Sequence, residues 1–356
     1  MSEIFLQAKA KCTKLHSLIL YLKPIKLTNT KNLLMNFSEE TIEQLAKEHY
    51  GLATTAKSLN GYDELNFLLS TDTNEKYILK ISSEVHPLPF LDAQVKIIQH
   101  LSKSALANEF QHFCINIDGD ALTKIEADSK TYYVRILNFI EGTFWVEKEN
   151  KSKELFYNLG SFLGNMDYEL RDFSHLAMHR RYTWDISCAS DANENLKYIL
   201  DHEKRRIAGS FLLQFDTEVL PLIHTLRHAY IHNDANDYNV LVQENHISGL
   251  IDFGDMVYTA LINNLAIACT YAMLGEKDPL AVAASIVEGY HKSYALTEKE
   301  VDLLYYLIAA RLCISVTQSA YNASLDSNNE HHFLTEKPAW ELLNQLIRIN
   351  PIKAQD

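Results

Sequence analysis

A cluster of polar side chains lies in the stretch "YIHNDANDYNVLV" (residues 230–242), whose other positions are largely apolar. The polar members are His232, Asp234, Asn236, Asp237 and Asn239. Buried carboxylates are costly unless they are paired with a cation or bound to a metal. The stretch is therefore either a polar surface loop or a site that uses a carboxylate and an amide for chemistry.

Two further polar groups stand in apolar, strand-like sequence. Lys80 lies in "YILKI", and Asp252 lies in "LIDFGD", thirteen positions after Asn239. The period of two along a strand puts Lys80 on the same face as Ile78 and Ser82. A hairpin between Asn239 and Asp252 brings both to one rim, where an amide oxygen and a carboxylate can hold the same Mg²⁺ ion.

These three pieces supply the groups that phosphoryl transfer requires, because that reaction needs positioned cations and an oriented acceptor hydroxyl. Lys80 can hold nucleotide phosphates, and Asp234 can take the proton of the hydroxyl. The spacing from Asp234 to Asn239, followed by D-F-G, matches the kinase signature H-R-D-x-x-x-x-N and D-F-G. An isolated D-x-x-x-x-N occurs often by chance, so the ordered set is what indicates a kinase.

The sequence up to residue 141 alternates between helix and strand patterns. Ser38 and Gly51 bound a predicted helix in "NFSEETIEQLAKEHYG". "ELNFLLS" and "KYILKIS" predict a hairpin around "TDTNE", a helix follows in "PFLDAQVKIIQHLSK", and "ALTKIEA" and "TYYVRILNFIEG" predict a second strand pair. Residues 36–141 therefore form a predicted small α+β lobe.

After a hinge near Glu141 and Gly142, the pattern becomes mainly helical. Helices are predicted in "KELFYNLGSFLGNMDYEL", in "NENLKYILDHEKRR" and in "TEKEVDLLYYLIAARLCISVTQSA", which opens with a capping box from Thr297 to Glu300. Between them, "NVLVQENHISGLIDFGD" predicts a short strand pair. Residues 142–356 form the predicted larger, helical lobe.

The composition, with 47% hydrophobic and 22% charged residues over 356 positions, is that of a soluble globular protein. The length indicates about two domains or lobes. A formal charge of −13 argues against nucleic-acid binding, which needs a basic surface. Five scattered cysteines without a C-x-x-C pair indicate a reducing compartment, so we expect a cytoplasmic protein.

The first 34 residues differ from the rest, because they carry six lysines against a single acidic residue, Glu3. The apolar run "LILYL" is too short to cross a bilayer, so we expect no stable membrane insertion. We interpret residues 1–35 as a basic extension. The alternatives are a targeting or membrane-touching arm and a start codon assigned upstream of Met35.

The catalytic-loop pattern and the metal strand together resemble the aminoglycoside phosphotransferase and choline kinase branch of the kinase-like fold. That branch has H-x-D-x-x-x-x-N where this chain has "HNDANDYN", and a strand similar to "IDFGD". Within it, the chain is most similar to the hydroxylysine kinase-like group, and the similarity runs from about residue 60 to about residue 320. The segments that carry it are "YDELNFLL", "YILKIS", "FLDAQ", "VRILNFIEG", "IHNDANDYNVLV", "GLIDFGDMVY" and "AARLCISVTQSA".

The resemblance implies a two-lobed, protein-kinase-like α+β fold, with a small β-rich N-lobe that binds nucleotide and a larger, mainly helical C-lobe. It implies that Asp234 is the catalytic base and that Asn239 and Asp252 are the Mg²⁺ ligands.

On the nucleotide side, the resemblance implies that Lys80 binds the phosphates. The partner of this lysine is normally a glutamate on the first-lobe helix. The matching position here is Asp92, one methylene shorter, with Gln94 and Glu84 as alternatives.

The nucleotide site departs from the protein-kinase pattern, because no G-x-G-x-x-G loop precedes the first strand pair. "SLNGYDELNF" stands in its place, with Gly61 as its only glycine. The segment "IEGT" resembles the hinge, whose backbone near Glu141 meets the nucleobase. Backbone contacts do not reveal the base, so the expected donor is ATP or GTP.

Four further residues are candidates for the site, each with a structural alternative. We interpret His232 as a support for the loop rather than a proton carrier. Asp255 either contacts the substrate or metal site or caps the following segment. Trp184, in "RYTWDI", either walls the acceptor site or is part of the core. Arg311, in the apolar run "LLYYLIAARLC", binds either a substrate carboxylate or an internal acidic partner.

The sequence therefore predicts a small-molecule kinase that phosphorylates a hydroxyl of an amino-alcohol or hydroxylated amino acid. Only the resemblance makes 5-hydroxylysine the leading acceptor. The alternatives are an aminoglycoside, choline or homoserine kinase and, in a different class, a non-catalytic pseudokinase that binds nucleotide or a partner. The complete set of Lys80, Asp234, Asn239 and Asp252 argues against a pseudokinase.

Overall fold

The computed structural model of the chain describes residues 37–59, 61, 64–325, 336–351 and 354. The basic extension predicted for residues 1–35 lies outside them. The described residues form a sheet-bearing N-lobe and a larger, mainly helical C-lobe, which is the α+β architecture that the sequence predicts.

The N-lobe is built on one antiparallel sheet. Its strands are β1 (Thr55–Leu59), β2 (Leu65–Ser70), β3 (Lys76–Ser83), β4 (Phe113–Cys114), β5 (Thr123–Ala127) and β6 (Lys130–Asn138). Their order is β1-β2-β3-β6-β4, with β5 also paired to β6. The two predicted hairpins, β2–β3 and β5–β6, are confirmed, and the central pairing of β3 with β6 places Lys80 opposite Arg135.

Helix α1 (Glu39–Tyr50) covers one face of this sheet. It begins after Ser38, whose hydroxyl accepts a hydrogen bond from the Thr41 backbone N–H at 3.2 Å. It ends at Gly51, whose φ of 69° is a left-handed conformation that glycine adopts easily because it has no side chain. Both predicted boundaries are confirmed. Ile42 packs with apolar residues of the strands in a separate N-lobe core.

Helix α2 (Leu88–Leu101) lies between the lobes. The predicted helix exists, but its apolar residues Phe90, Ile97 and Leu101 belong to the same continuous core as the C-lobe helices. The ring of His100 also lies 2.9 Å from the carbonyl oxygen of Glu169 in the C-lobe. The helix is therefore held mainly by the C-lobe, although the chain reaches it from the N-lobe sheet.

The C-lobe contains helices α3 (Lys153–Glu169), α4 (His202–Gln214), α5 (Ile262–Ala272), α6 (Pro279–Ser293), α7 (Glu298–Leu325) and α8 (Glu336–Leu346). It also contains short strands β7 (Thr143–Phe144), β8 (His228–Ile231), β9 (Val240–Gln243), β10 (His246–Leu250) and β11 (Val257–Ala260). The strands pair as β10-β9-β7 and as β11-β8. Helix α7 is long and apolar enough to cross a membrane, but most of it is buried as the central helix of this lobe.

The structure confirms the capping box at the start of α7. The Glu300 backbone N–H donates to the Thr297 hydroxyl at 3.3 Å, and the Thr297 N–H donates to the Glu300 carboxylate at 2.8 Å. The continuous helix predicted in "NENLKYILDHEKRR" is wrong. A 3₁₀ helix runs from Ile186 to Tyr198, and α4 starts anew because the Asp201 side chain caps its first turn.

Candidate active site

Asp234 lies at the centre of the site, in the loop between β8 and β9. Its carboxylate accepts hydrogen bonds from the side chains of Arg311 (3.1 Å), Asn236 (2.9 Å) and Asn239 (2.7 Å). The side chain keeps 18% of its surface exposed. A carboxylate fixed by three donors, with an edge still accessible, can accept the proton of a hydroxyl that approaches it.

The charges around Asp234 adjust its proton affinity. Burial raises the pKa of Asp234 well above the usual range of an aspartate, and nearby Asp255 raises it further, while the guanidinium of Arg311 opposes the shift. Burial also raises the pKa of Asp255 to about 6. A carboxylate with a raised pKa is a better proton acceptor near neutral pH than an ordinary aspartate.

His232 is fully buried beneath the loop. Its Nδ1 accepts a hydrogen bond from the Asp234 backbone N–H at 3.2 Å, and its Nε2 lies 3.1 Å from the carbonyl oxygen of Ile251. Burial lowers the pKa of His232 to about 4, so the ring is neutral and Nε2–H donates to that carbonyl. The ring thus joins the Asp234 loop to the strand end before Asp252, which is a supporting position.

Asn239 and Asp252 lie at the same end of the β9–β10 hairpin. The Ile251 backbone N–H donates to the Asn239 carbonyl oxygen at 3.0 Å, which holds the two strand ends together. The side-chain amide nitrogen of Asn239 donates to Asp234, so its amide oxygen points elsewhere. Asp252 has a φ of 64° and a side chain that is 49% exposed. Such a left-handed backbone conformation is uncommon for a residue other than glycine.

The residues at this rim fit a magnesium ion. Carboxylate and amide oxygens are hard ligands, and Mg²⁺ in kinase-like sites takes one or two protein ligands plus water and phosphate oxygens. Among the described residues no group of three or more His, Cys, Asp or Glu side chains could hold a metal ion. Asp252 and Asn239 would offer one carboxylate and one amide oxygen to a phosphate-bound Mg²⁺.

Lys80 extends from β3 into the cleft, where its ammonium lies 3.1 Å from Oδ1 of Asp252 and 3.8 Å from Oε2 of Glu64. The pairing of Lys80 with Asp92 that the sequence favoured is wrong. The Asp92 carboxylate lies 2.6 Å from the ammonium of Lys96, one turn along α2, and 3.2 Å from the ring of His175. The i, i+4 spacing of Lys96 makes it the nearer partner on the helix surface.

Glu64 lies beside Lys80, although the sequence does not mark it as a site residue. Its carboxylate is buried and accepts hydrogen bonds from Arg135 (2.8 and 2.9 Å) and from the hydroxyl of Ser82. Although burial disfavours its charge, Arg135 and Lys80 hold the pKa of Glu64 well below its usual range. The available signal was Arg135, because an arginine inside the apolar strand "YYVRILN" requires an anionic partner.

The predicted hinge lies between β6 and β7. The side chain of Glu141 is exposed and ion-paired with Lys76 at 2.9 Å, so it is the backbone here, not the carboxylate, that can face a nucleobase. A side chain on Gly142 would place its Cβ 2.5 Å from the Ser248 hydroxyl and 3.1 Å from Cβ of Leu241. Glycine therefore lets the linker pass close against the β9–β10 hairpin.

Comparison with known proteins identifies one family that matches parts of both lobes. The family described as "Phosphotransferase enzyme family" matches residues 55–302, which include the N-lobe sheet, the Asp234 loop and the Asp252 strand end. The chain belongs to this family. It is therefore a phosphotransferase.

Named relatives cover most of the phosphotransferase. The hydroxylysine kinase of Xenopus laevis is 28% identical over 335 residues, 87% of this chain and 89% of the relative. That of Danio rerio is 26% identical over 322 residues, 86% of this chain and 90% of the relative. The solved structure of amicoumacin kinase hAmiN, in complex with AMP-PNP, Ca²⁺ and Ami, has a TM-score of 0.68 at 13% identity, covering 89% of this chain and 97% of that one. The fold is therefore kinase-like, as predicted.

The acceptor side of the phosphotransferase site contains both signs of charge. Asp255 accepts a hydrogen bond from the Tyr182 hydroxyl at 2.5 Å and lies in a 3₁₀ turn followed by β11, so it does not cap a helix. Arg311 is 1% exposed and donates to the Trp184 carbonyl at 2.6 Å as well as to Asp234. Its partner is thus internal. Trp184 is partly buried against the core, with its ring centre 5.2 Å from the Arg311 guanidinium.

A buried polar network anchors the loop of the phosphotransferase from below. Asn264 on α5 accepts a hydrogen bond from the Asn233 backbone N–H at 3.3 Å and donates to the Asp167 carboxylate at 2.8 Å. Asp167 on α3 also accepts from the Tyr290 hydroxyl on α6 at 2.7 Å. Because Asn233 has a φ of 66°, the network holds in place a backbone conformation that asparagine adopts at a cost.

We expect the Asp167→Asn variant to have a flatter dependence of stability on pH. Burial raises the pKa of Asp167 to about 7, whereas an aspartate in an unfolded chain titrates near about 3.9. A carboxyl with a raised pKa in the folded state stabilises the fold while protonated, and this contribution is lost as pH rises through about 7. For this fully buried group the loss is of the order of a few kcal/mol. Urea unfolding at pH 5, 6, 7 and 8 measures it.

The matched control is Asp172→Asn, which removes an exposed carboxylate just beyond the same helix. We expect this variant to keep the wild-type slope of unfolding free energy against pH. If Asp167→Asn loses as much stability between pH 5 and pH 8 as the wild type, the Asp167 carboxyl does not titrate in this range.

Proposed function

We propose that this phosphotransferase transfers the γ-phosphoryl group of ATP to the hydroxyl of a hydroxylated amino acid, with 5-hydroxylysine as the leading acceptor. The observation that carries the reaction type is the carboxylate of Asp234, oriented by three donors beside the rim of Asn239 and Asp252. The two hydroxylysine kinases, similar over most of their length, support this acceptor.

In the proposed reaction Asp234 orients the acceptor and receives its proton. The acceptor oxygen forms a bond to the γ-phosphorus, the bond from that phosphorus to the bridging oxygen breaks, and its electron pair leaves with ADP. The hydroxyl proton passes to the Asp234 carboxylate. Asn236 and Asn239 keep the carboxylate in one orientation throughout, which is the contribution that positioned groups make to catalysis.

On the donor side, Lys80 contributes a positive charge to the nucleotide phosphates, and Asp252 and Asn239 would hold Mg²⁺. When bound, this ion supplies charge that stabilises the phosphoryl oxygens as the bond changes proceed. In this structure Lys80 and Asp252 lie 3.1 Å apart, which keeps both groups at the proposed phosphate site. The backbone near Glu141 is the proposed contact with the nucleobase. The proposed phosphoryl donor is ATP, and GTP is the alternative.

The mixed charges near Asp234 support an amino-acid acceptor over a polycationic antibiotic. A polycation needs a cleft lined by carboxylates, whereas a zwitterion needs a cation as well. The carboxylates of Asp234 and Asp255 are accompanied by the guanidinium group of Arg180, whereas Arg311 is buried and already paired with Asp234. Arg180 is partly exposed and lies over the rings of Phe90 and Tyr182 at 4.0 and 4.2 Å.

The test is the rate of ADP formation by the purified chain with Mg-ATP or Mg-GTP and a panel of acceptors. The panel contains 5-hydroxylysine, homoserine, choline, ethanolamine and an aminoglycoside. We expect 5-hydroxylysine to give the highest kcat/KM and a phosphorylated product by mass spectrometry. Lysine is the matched control, because it differs only by the missing hydroxyl and should give no ADP above the acceptor-free background.

The other outcomes separate the alternatives. A higher kcat/KM with choline or an aminoglycoside would assign the protein to another acceptor class of the same family. Binding of Mg-ATP in a thermal-shift titration, with no ADP formed from any acceptor, would favour the pseudokinase. The thermal-shift titration and the ADP assay use the same preparation, so a misfolded sample is recognised because it does not bind nucleotide.

A further inference from the structure

Lys80 lies between two carboxylates that come from different lobes. Asp252, from the C-lobe, is 3.1 Å away, and Glu64, from the segment that leads into β2, is 3.8 Å away. If Asp252 binds a cation during turnover, the contact between Asp252 and Lys80 must loosen, because one carboxylate oxygen cannot serve both at full strength. Glu64 is then the anion that remains beside the lysine.

We propose that Glu64 is the positioning residue of Lys80 in this phosphotransferase, in the place of an acid on helix α2. The inference rests on the proposed role of Lys80 in nucleotide binding. It does not depend on which acceptor is phosphorylated.

The sheet itself fixes Glu64. Arg135 on β6 holds its carboxylate at 2.8 and 2.9 Å, and the Ser82 hydroxyl, which also accepts from Arg135 at 2.6 Å, donates to it. The pairing of β3 with β6 places Arg135 directly opposite Lys80, and Ser82 lies two residues further along the same strand face. All members of this cluster, defined as Glu64, Lys80, Ser82 and Arg135, are therefore held by the sheet and by the residue that leads into it.

The charges of the cluster suit a phosphate site. Two cations, Lys80 and Arg135, share one buried carboxylate, so the cluster has a net charge of +1 beside the cleft. Without the Glu64 charge, the buried Arg135 and the half-buried Lys80 would lie on adjacent strands with no shared anion. Lys80 would then lose the carboxylate that orients its ammonium from the side of the sheet.

Helix α2 lacks a free acid for this task. Asp92 is engaged by Lys96 and His175, and the Gln94 side chain accepts from Arg135 at 3.3 Å, so it supports the arginine rather than the lysine. The helix is also tied to the C-lobe through its apolar face. Glu64 instead orients Lys80 from the sheet that carries the lysine, without a contact through α2.

The experiment measures binding of Mg-AMP-PNP by calorimetry without any acceptor. We expect Glu64→Gln to raise the Kd by roughly 10- to 100-fold, because Lys80 loses the nearby anion that orients it in a largely desolvated site. Asp92→Asn makes the same chemical change on α2 and should alter the Kd by less than about 2-fold. An unchanged Kd in Glu64→Gln, or an equal loss in Asp92→Asn, overturns the proposal.

A double variant separates positioning from a merely structural role. Glu64→Gln leaves the Arg135 charge buried without its anion and should lower the Tm. Adding Arg135→Met removes that charge, so the Tm should recover while the raised Kd persists, because Lys80 still lacks its carboxylate. Recovery of both the Tm and the Kd would mean that Glu64 acts only through Arg135, and would overturn the proposal. Since no acceptor is present, these results stand whether or not 5-hydroxylysine is the substrate.

Discussion

The Asp234→Asn variant is expected to lose about 10²- to 10⁴-fold in kcat while its affinity for Mg-ATP stays close to that of the wild type. The amide keeps the shape of the side chain but cannot accept the hydroxyl proton. Lys80, which is expected to hold the phosphates, and Asp252, which is expected to hold their Mg²⁺ ion, are unchanged. Steady-state kinetics with the best acceptor, together with calorimetric titration of Mg-AMP-PNP, measure the two quantities separately.

This variant needs a stability control, because Asp234 is also the ion-pair partner of the buried Arg311. Neutralising one member of a buried pair can cost about 3–5 kcal/mol of folding stability. Arg311→Met breaks the same pair from the other side and leaves the carboxylate in place, so it should lower the Tm but retain far more kcat than Asp234→Asn. A near-normal kcat in a folded Asp234→Asn protein would remove Asp234 from the mechanism.

The parts of the site that the sequence predicts correctly depend on short-range chain geometry. The six residues from Asp234 to Asn239 form one loop, and a tight hairpin returns the chain to Asp252, so spacing alone places these groups together. The same holds for α1, whose ends are set by the local caps at Ser38 and Gly51. Sequence patterns that span no more than about a dozen residues predict the local structure well, because few tertiary contacts favour a different conformation there.

The features that the sequence does not reveal depend on contacts between distant segments. Glu64 and Arg135 are 71 residues apart and meet only because β3 pairs with β6, a non-sequential neighbour. Asp92 occupies the position that the resemblance assigns to the partner of Lys80. Its carboxylate instead contacts Lys96, one helical turn away, and His175 from the C-lobe. Neither the pairing of Glu64 with Arg135 nor the contacts of Asp92 can be inferred from the local pattern around "FLDAQ".

Weak strands and broken helices are also missed for physical reasons. Strand β1 is mostly exposed, so it has no apolar alternation to mark it, and the two-residue β4 is too short to show a period. The helix predicted across residues 193–206 has the right periodicity on both sides of its break. The Asp201 carboxylate decides the boundary by accepting hydrogen bonds from the backbone N–H groups of Glu203 and Lys204, at 2.9 and 3.1 Å.

The Asp252→Asn variant should be essentially inactive at ordinary magnesium concentrations, with kcat lowered by about 10³-fold or more. An amide oxygen can still point at a cation but does not neutralise its charge, and Asp252 is the only one of the two proposed ligands that carries a charge. Lys80 keeps Glu64 beside it in this variant. The loss should therefore appear in the magnesium dependence of the rate and in direct Mn²⁺ binding followed by electron paramagnetic resonance with AMP-PNP present.

Asn239→Ala is the matched comparison at the same rim. This change removes one neutral ligand and two of the hydrogen bonds that orient Asp234, at 2.9 and 2.7 Å, so a smaller loss of roughly 10- to 100-fold is expected. High Mg²⁺ or Mn²⁺ should restore part of it, because mass action refills a weakened site whose carboxylate is intact. Excess metal should not restore Asp252→Asn to the same extent. If Asp252→Asn instead retains wild-type turnover at low magnesium, the cation is not held at the end of β10, and the kinase mechanism loses the charge on which phosphoryl transfer depends.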